Sequence, residues 1–297
     1  MKPLIQQLTA TGPMLADGAW GTELQKMGLA PGMIADAWNL SHPERVEEVA
    51  RSYVEAGSGI VLTNTFRANR VALAGHELAG KGKQLNRAGV EISRRAAGNR
   101  ARVFASIGPS GKLLMAEEIG REELQDAFAE QANSLAEASP DALVIETMSD
   151  LVEAGIALEA ARATGLPVVV CMVFDSGKNQ DRTLTGVTPE LAAKELTAQG
   201  ADVIGANCGK GIDAFIDVCR RLHAATDRAI WIKPNAGMPR LSGDSVVYDT
   251  TPEEFASYVP ALIEAGAAFI GGCCGTNSQF IRAMSQQLHS RLPVSTS

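Results

Sequence analysis

The sequence predicts an α/β protein that folds as a single (β/α)8 TIM barrel, with its active site at the carboxyl-terminal rim of the strands. Three observations predict this fold. Eight short apolar segments recur along the chain, segments with helical periodicity separate them, and long polar connections follow several of the strands. Eight strand–helix units are the number that closes such a barrel. A doubly wound open sheet is the alternative.

The eight predicted strands are rich in Val and Ile and show no strict alternation of polar and apolar residues. A parallel sheet covered on both faces has this pattern. In chain order the segments are MLAD (14–17), GIVLTN (59–64), RVFASIG (102–108), ALVIET (142–147), PVVVCMVF (167–174), DVIGAN (202–207), AIWIKPN (229–235) and AFIGGC (268–273).

The segments between the strands carry apolar residues at helical spacing. Several begin at Ser, Thr or Asp before Pro or Glu and end at Gly, which are the expected start and stop signals of helices. They include 43–57, 121–138, 150–165, 188–200 and 251–266. The longest polar connections, 108–120, 174–188 and 236–250, each follow a strand, so we expect them over the carboxyl-terminal rim of the barrel.

Length and charge limit the classes of function. A chain of 297 residues without a linker or composition shift fits one domain over 1–297, with a frayed tail at 291–297. The formal charge of −7 and the pI near 5.3 argue against nucleic acid or an anionic membrane as a partner. No signal peptide or apolar run of about 18 residues is evident, so we expect a cytoplasmic protein.

Three cysteines are predicted to meet at the rim. Cys208 ends the sixth strand, and Cys273 and Cys274 end the eighth, in GGCCGTN (271–277). Alternate strands of a barrel project side chains into one layer, so these thiols can converge. Neighbouring residues of a regular strand point to opposite faces. Both thiols can therefore reach one ion only if the backbone leaves β geometry, which the three glycines of this segment permit.

Three thiolates around Zn²⁺ leave one coordination position open, as in catalytic zinc sites. An incoming thiol can fill this position and, in an electron-rich site, keep much of its nucleophilicity, which points to alkyl transfer onto sulfur. Two alternatives stay open: the cysteines are small buried hydrophobic residues, or the adjacent pair forms a redox-active disulfide. Cys171 and Cys219 are expected to be packing residues, and five cysteines in all are too few for a disulfide scaffold.

Six motifs occur in order along nearly the whole chain: DGAWGTEL (17–24), SGIVLTNTFRANR (58–70), IETMSD (145–150), GANCG (205–209), KPNAG (233–237) and GGCCGTN (271–277). Together they resemble the homocysteine S-methyltransferase family. This family includes the homocysteine-binding module of cobalamin-dependent methionine synthase, together with betaine-dependent and S-methylmethionine-dependent enzymes. The resemblance implies a zinc barrel that methylates the thiol of homocysteine to methionine.

The resemblance also implies roles for individual residues. It makes the three rim cysteines the zinc ligands at the catalytic centre. The carboxylates of Asp17 and Glu146 would hold the ammonium group of homocysteine. Backbone N–H groups near Gly18 and Ala19, together with Thr65, would receive its α-carboxylate.

Two asparagines complete the predicted site. Asn207 and Asn235 lie at strand ends, where they either bind substrate or fix the loops of the site. The four histidines, in contrast, do not end any predicted strand, which argues against a His-ligated hydrolytic metal and against a His-based triad. They are His42, His76, His223 and His289.

The methyl donor is left open. In the large methionine synthases further domains supply folate and cobalamin, so the resemblance implies here a small-molecule donor or a separate corrinoid or methyl-carrier protein. A small onium donor favours a cage of aromatic side chains. Trp20 and Trp38 are candidates for this cage, and buried packing is the alternative role for each. Arg67 stands where the betaine enzyme carries an aromatic residue, which argues against betaine.

Two other functions remain possible from the sequence. Lys233 ends a predicted barrel strand, where the Schiff-base lysine of an aldolase could lie. A non-catalytic module that binds zinc or homocysteine for regulation is the second alternative.

Overall fold

The computed structural model describes residues 2–242 and 245–290, and its centre is a nearly closed barrel of eight parallel strands. An antiparallel hairpin of two short strands lies outside the barrel. The strands are β1 (Met14–Leu15), β2 (Ile60–Val61), β3 (Arg102–Ile107), β4 (Ala142–Met148), β5 (Val168–Met172), β6 (Val203–Gly211), β7 (Ala229–Asn235), β8 (Arg240–Ser242), β9 (Ser245–Val247) and β10 (Ala267–Ile270).

The strand order confirms the predicted TIM barrel. The order is β1-β10-β7-β6-β5-β4-β3-β2, and each of the seven pairings is parallel. From β2 to β10 each barrel strand thus pairs with the next barrel strand along the chain, and β10 pairs with β1, without the reversal of order that a doubly wound sheet contains. At the seam, the N–H of Gly59 donates to the carbonyl of Leu15 at 2.9 Å, which joins the first strand to the start of the second.

Helices cover the outside of the barrel. Proline at the first turn and a side-chain cap from Thr188 or Thr251 fix the start of two of them. The helices are α1 (Pro3–Thr9), α2 (Gly21–Lys26), α3 (Trp38–Ser41), α4 (Pro43–Ala56), α5 (Arg70–Leu73), α6 (Gly82–Ala97), α7 (Arg121–Glu137), α8 (Leu151–Arg162), α9 (Pro189–Ala198), α10 (Phe215–Ala225), α11 (Pro252–Ser257), α12 (Val259–Glu264) and α13 (Ser278–His289). Short 3-10 turns occur at Ala35–Ala37, Leu114–Ala116 and Ile212–Ala214.

The hydrophobic core has an inner and an outer part. Inside the barrel, the rings of Phe104 and Trp231 stack with centroids 6.0 Å apart, and Cys171 is fully buried in the same cluster. The outer part lies between the strands and the helices and contains Cys219 of α10. Both cysteines are therefore packing residues, as predicted.

The rim connection 236–250 differs from its predicted form. It contains the hairpin of β8 and β9, which the sequence analysis treated as a polar loop. Two three-residue strands are too short to show a periodicity in the sequence. Among the described residues, no helix combines the length and the apolar character needed to cross a bilayer. The predicted frayed tail, 291–297, lies outside the described residues.

Candidate active site

A cavity of about 350 Å³ opens at the carboxyl-terminal ends of the barrel strands. Its volume is in the range of small-molecule sites. The three rim cysteines form one wall, and the side chains of Glu146 and Lys233 line the interior. Near the mouth the walls are mainly apolar, with Trp20, Met33 and Phe66 among them. Within the described part of the chain, no histidine lines this cavity.

The three predicted thiols converge in space. The Sγ atoms of Cys208, Cys273 and Cys274 lie within 4.8 Å of one another, although 64 residues separate Cys208 from the adjacent pair. None of the three forms a disulfide. The sheet brings them together because β6 and β10 both pair with β7, which lies between them.

The backbone leaves β geometry at the cysteine pair, as predicted. Strand β10 ends at Ile270, and a turn follows in which the N–H of Thr276 donates to the carbonyl of Cys273 at 3.1 Å. Gly275 has a φ of 84° in this turn. A Cβ at this position would also lie 2.3 Å from the ring of Tyr248, so glycine is required for both the conformation and the packing.

Gly272 was predicted to permit the bend of the backbone, but in the structure its missing side chain makes room for Thr276. A Cβ there would lie 2.4 Å from the side-chain oxygen of Thr276, which in turn donates to the carbonyl of Cys273 at 2.8 Å. The missing side chain therefore lets Thr276 brace the turn that carries the thiols.

Cys208 and Thr147 both have left-handed backbone conformations, with φ of 63° in each case. Such angles are unfavourable for residues other than glycine and persist where the surroundings enforce them, often at functional sites. Asn207 holds Thr147 in this conformation: its side-chain oxygen accepts from the N–H of Thr147 at 2.7 Å, and its amide donates to the hydroxyl of Thr147 at 2.7 Å. The same amide lies 3.8 Å from Cys273 Sγ. Asn207 thus links the end of β4 to the thiol cluster.

The crowded thiols favour a single negative charge. Hydrogen bonds from Cys208 and Cys273 lower the pKa of Cys274 to about 3, whereas the pKa of Cys208 is raised by its hydrogen bonds to the other two sulfurs and by burial. A second and a third thiolate in this small volume would repel the first. Only a bound cation stabilises all three in the deprotonated form.

The sulfur positions fit a tetrahedral metal ion. Zn–S bonds of about 2.3 Å at tetrahedral angles place ligand sulfurs about 3.8 Å apart. The distance from Cys208 Sγ to Cys274 Sγ is 3.9 Å. The residues present therefore fit zinc without a rearrangement of these two side chains.

Asn235 adds an oxygen without a partner beside the thiols. Its side-chain amide donates to the carbonyl of Gly209 at 2.7 Å, but its Oδ1 is buried and, among the described residues, has no hydrogen-bond donor. The two residues that flank Asn235 hydrogen-bond the backbone of Cys273 and Cys274, at 2.7 and 2.9 Å. An orphaned oxygen at this place is consistent with a site that accommodates a cation or a ligand donor.

Tyr248, which the sequence analysis did not select, also contacts the cluster. It directly follows β9 in the chain, its ring packs against Gly275, and its hydroxyl is a neighbour of Cys274. The hydroxyl contributes to the low pKa of Cys274. No pattern in the sequence could reveal the contact, because it depends on the fold of the hairpin over the rim.

Asp17 and Lys233 form a buried ion pair at the inner end of the cavity. Lys233 Nζ lies 2.5 Å from Asp17 Oδ1, and their side chains are 3% and 0% exposed. The other carboxylate oxygen of Asp17 accepts from the indole of Trp20 and from the N–H of Leu62, each at 2.8 Å. Asp17 is not among the residues that line the cavity, and a ligand ammonium that pairs with it, as the sequence predicts, would share the carboxylate with these three donors.

Glu146 lines the cavity and is the better placed of the two predicted carboxylates. Its Oε1 accepts from the hydroxyl of Ser106 at 2.5 Å. Burial raises the pKa of Glu146 to about 7, against the lowering effect of the Lys233 ammonium. A cationic ligand group would favour the ionised form of this carboxylate.

The remaining predicted residues divide into two groups. Gly18 and Ala19 line the cavity, but the N–H of Ala19 already donates to the hydroxyl of Thr276 at 3.2 Å. Thr65 is fully buried behind the cavity wall, where its hydroxyl contacts the hydroxyl of Thr63 at 2.6 Å. Thr63 itself lines the cavity, and only the fold distinguishes the two threonines of this segment.

The two candidate tryptophans also differ. Trp20 lines the cavity, with its indole fixed by Asp17. Trp38 is buried outside the cavity, and the guanidinium of Arg45 lies 5.3 Å from its ring centroid. Trp38 therefore has a packing role, which was the alternative to a role in an aromatic cage. The aromatic ring that faces the cavity together with Trp20 is Phe66.

The Schiff-base alternative for Lys233 is not favoured by the site. Burial lowers the pKa of this lysine, but the carboxylates of Asp17 and Glu146 more than offset that effect, and the pKa is raised overall. A nucleophilic lysine needs a lowered pKa, because only the neutral amine attacks a carbonyl.

The chain is similar to known proteins over nearly its whole length. A family model described as homocysteine S-methyltransferase matches residues 14–288. Methionine synthase of Mycobacterium leprae and that of Mycobacterium tuberculosis are each 30% identical over 288 residues, which cover 91% of this chain. The chain spans only 24% of the length of these two relatives. Among solved structures, the homocysteine methyltransferase MmuM of Escherichia coli in its metallated form superposes with a TM-score of 0.79 at 23% identity, covering 96% of this chain and all of that one.

Proposed function

The chain belongs to the homocysteine S-methyltransferase family, and we propose from this that it transfers a methyl group to the thiol of homocysteine and forms methionine. One observation carries the proposal: three thiols within 4.8 Å form one wall of a cavity whose interior holds a carboxylate and an ammonium group. Such a cavity offers a place for a sulfur at one end and for a charged amino-acid group at the other.

We assign Cys208, Cys273 and Cys274 as the ligands of a zinc ion, on the sulfur distances and on the need of three crowded thiolates for a cation. Zinc at this place would supply a Lewis acid that keeps a fourth sulfur deprotonated at neutral pH. We also place the protein in the cytoplasm, because three free thiols persist in a reducing compartment.

The side chains around the thiols hold them for this task. The amide of Asn207 donates to Cys273 Sγ at 3.8 Å, and the hydroxyl of Tyr248 stabilises the thiolate form of Cys274, so each sulfur of the adjacent pair has a neutral polar neighbour. Hydrogen bonds to sulfur reduce its negative charge without removing it. Residues in this position tune a metal site through its ligands.

Glu146 is proposed to receive the ammonium group of homocysteine, while Gly18 and Ala19 shape the wall beside it. The substrate sulfur then attacks the methyl carbon of the donor from the side opposite the leaving group. The new S–C bond forms as the bond between the methyl carbon and the leaving group breaks, and the leaving group keeps the electron pair. A general base is not needed when the thiol is already deprotonated.

The donor is proposed to be a small onium compound or a separate corrinoid protein. The apolar mouth, with Trp20 and Phe66, supports a donor that loses its positive charge on transfer. Because the chain spans only 24% of the length of the two methionine synthases, the proposed donor is argued from the cavity of this chain and not from those relatives.

The decisive experiment is a panel of methyl donors assayed for methionine. The zinc-loaded protein is incubated with homocysteine and, in turn, S-methylmethionine, S-adenosylmethionine, betaine, dimethylsulfoniopropionate, methylcobalamin and methyltetrahydrofolate. We expect one donor class to give methionine in a zinc-dependent manner. X-ray absorption at the zinc edge, with and without homocysteine, separates an enzyme from a regulatory module with a closed zinc site, because only an open site gains a sulfur ligand. Failure to bind zinc or homocysteine would refute the proposal.

A further inference from the structure

The buried ammonium of Lys233 has unused hydrogen-bonding capacity. A lysine ammonium carries three N–H donors. Lys233 is 2% exposed and lines the cavity, and Asp17 Oδ1 is the one acceptor that its Nζ contacts among the described residues. Two donors of a buried cation therefore lack a protein acceptor, which is costly unless a ligand or water supplies one.

Asp17 fixes the position of this ammonium. Its carboxylate accepts from Lys233, from the indole of Trp20 and from the N–H of Leu62, so it is held on three sides. Lys233 itself extends from β7, the strand that lies between the strands of the three cysteines. The charge is thus held at a defined place, with little freedom to swing to another partner.

The backbone offers less at this place than the sequence predicts. The N–H of Ala19 is already engaged by the hydroxyl of Thr276 at 3.2 Å. The hydroxyl of Thr65 donates to the carbonyl of Ser106 at 2.7 Å and does not line the cavity. Two of the predicted partners of a substrate carboxylate therefore have other partners, whereas Lys233 has donors to give.

We propose that Lys233 binds the α-carboxylate of the substrate and, with Glu146, makes the site specific for zwitterionic α-amino-acid thiols. This inference rests on the proposed function. The cavity then has three points of recognition: the cysteine cluster for the sulfur, Glu146 for the ammonium group and Lys233 for the carboxylate. Thiols that lack one of the two charged groups bind more weakly, because they leave either the remaining N–H donors of Lys233 or the carboxylate of Glu146 without a ligand partner.

The test compares three thiols by calorimetric titration of the zinc-loaded protein. Homocysteine carries both charged groups, 3-aminopropane-1-thiol lacks the carboxylate, and 4-sulfanylbutanoate lacks the ammonium group. For the wild-type protein we expect loss of the carboxylate to weaken binding about 10- to 100-fold, the range for a charged hydrogen bond. In the Lys233→Met variant, homocysteine and 3-aminopropane-1-thiol should bind with dissociation constants within about threefold of each other.

Two further variants keep the result interpretable. Lys233→Met leaves Asp17 buried without its cation, which can destabilise the fold. The double variant Asp17→Asn with Lys233→Met removes both charges and should show the same loss of discrimination. Lys178→Met removes one exposed lysine from the rim loop 174–188 and should keep the full discrimination of the wild-type protein.

The possible failures are distinct. If the wild-type protein binds homocysteine but both Lys233 variants still discriminate 10-fold or more against the amine without a carboxylate, the inference about Lys233 is wrong while the proposed function stands. If the wild-type protein binds none of the three thiols, the proposed function fails with it.

Discussion

Asp36 gives a prediction whose size follows directly from its burial. This residue lies in the 3-10 turn Ala35–Ala37 beside the mouth of the cavity and is 1% exposed. Its Oδ1 accepts from the N–H of Arg67 at 2.9 Å. Burial raises the pKa of Asp36 from 3.8 to about 7, because this hydrogen bond and the charge of Arg67 compensate only part of the lost hydration.

The folded protein therefore holds a proton on Asp36 that the unfolded chain releases near pH 4. For a raised pKa, the stabilising contribution is complete below the unfolded value and is lost as the pH rises through the folded value. Linkage gives a loss of roughly 2 to 3 kcal/mol in the free energy of unfolding between pH 5 and pH 8 from this group.

Asp36→Asn removes the titration but keeps a side-chain oxygen for the N–H of Arg67. We expect the free energy of unfolding of the variant, relative to wild type, to increase by roughly 2 to 3 kcal/mol from pH 5 to pH 8. Urea unfolding of metal-free protein at several pH values measures this difference. Asp126→Asn, on the exposed face of α7, is the matched control for loss of one aspartate. If the free energies of unfolding of wild type and Asp36→Asn differ by the same amount at pH 5 and at pH 8, the reasoning is refuted.

The remaining predictions concern the site itself. Cys273→Ser should lose both zinc and turnover, because a hydroxyl is a poorer zinc ligand than a thiolate; metal analysis beside the methionine assay checks this, and turnover with stoichiometric zinc would contradict it. Glu146→Gln should raise the KM for homocysteine about 10- to 100-fold at unchanged zinc content, since the ammonium loses a charged partner; an unaltered KM would remove Glu146 from the substrate site. Tyr248→Phe should speed the transfer of zinc to a chromogenic chelator about 10-fold, because the thiolate of Cys274 loses the stabilising effect of the neighbouring hydroxyl; equal rates in variant and wild type would show that the hydroxyl does not matter.

The positions of the strands were predictable because each carries a short run of buried apolar residues. Their exact lengths were not. The segment MLAD (14–17) was predicted as a strand, but β1 is only Met14–Leu15, and GIVLTN (59–64) contains only the two residues of β2. These two strands flank the seam of the barrel, where each has one paired neighbour and therefore fewer ladder hydrogen bonds to extend it.

The identity of the thiol cluster was also predictable, since three cysteines at the ends of alternate barrel strands have few other places to meet. The roles of the charged residues were not. Asp17 and Glu146 look equivalent in the sequence as acids at strand ends, yet Asp17 is enclosed by three donors while Glu146 lines the cavity.

The sequence by itself determined the barrel and the chemistry of its rim, because apolar periodicity and residue type are properties of short segments. Tertiary structure alone decided which polar group faces the cavity and which is consumed by a neighbour. Lys233 meets Asp17 across 216 positions of the chain, and Tyr248 reaches Cys274 from a hairpin of two short strands. Such contacts depend on the path of the whole chain, since burial and hydrogen-bond partners are set by residues distant in sequence.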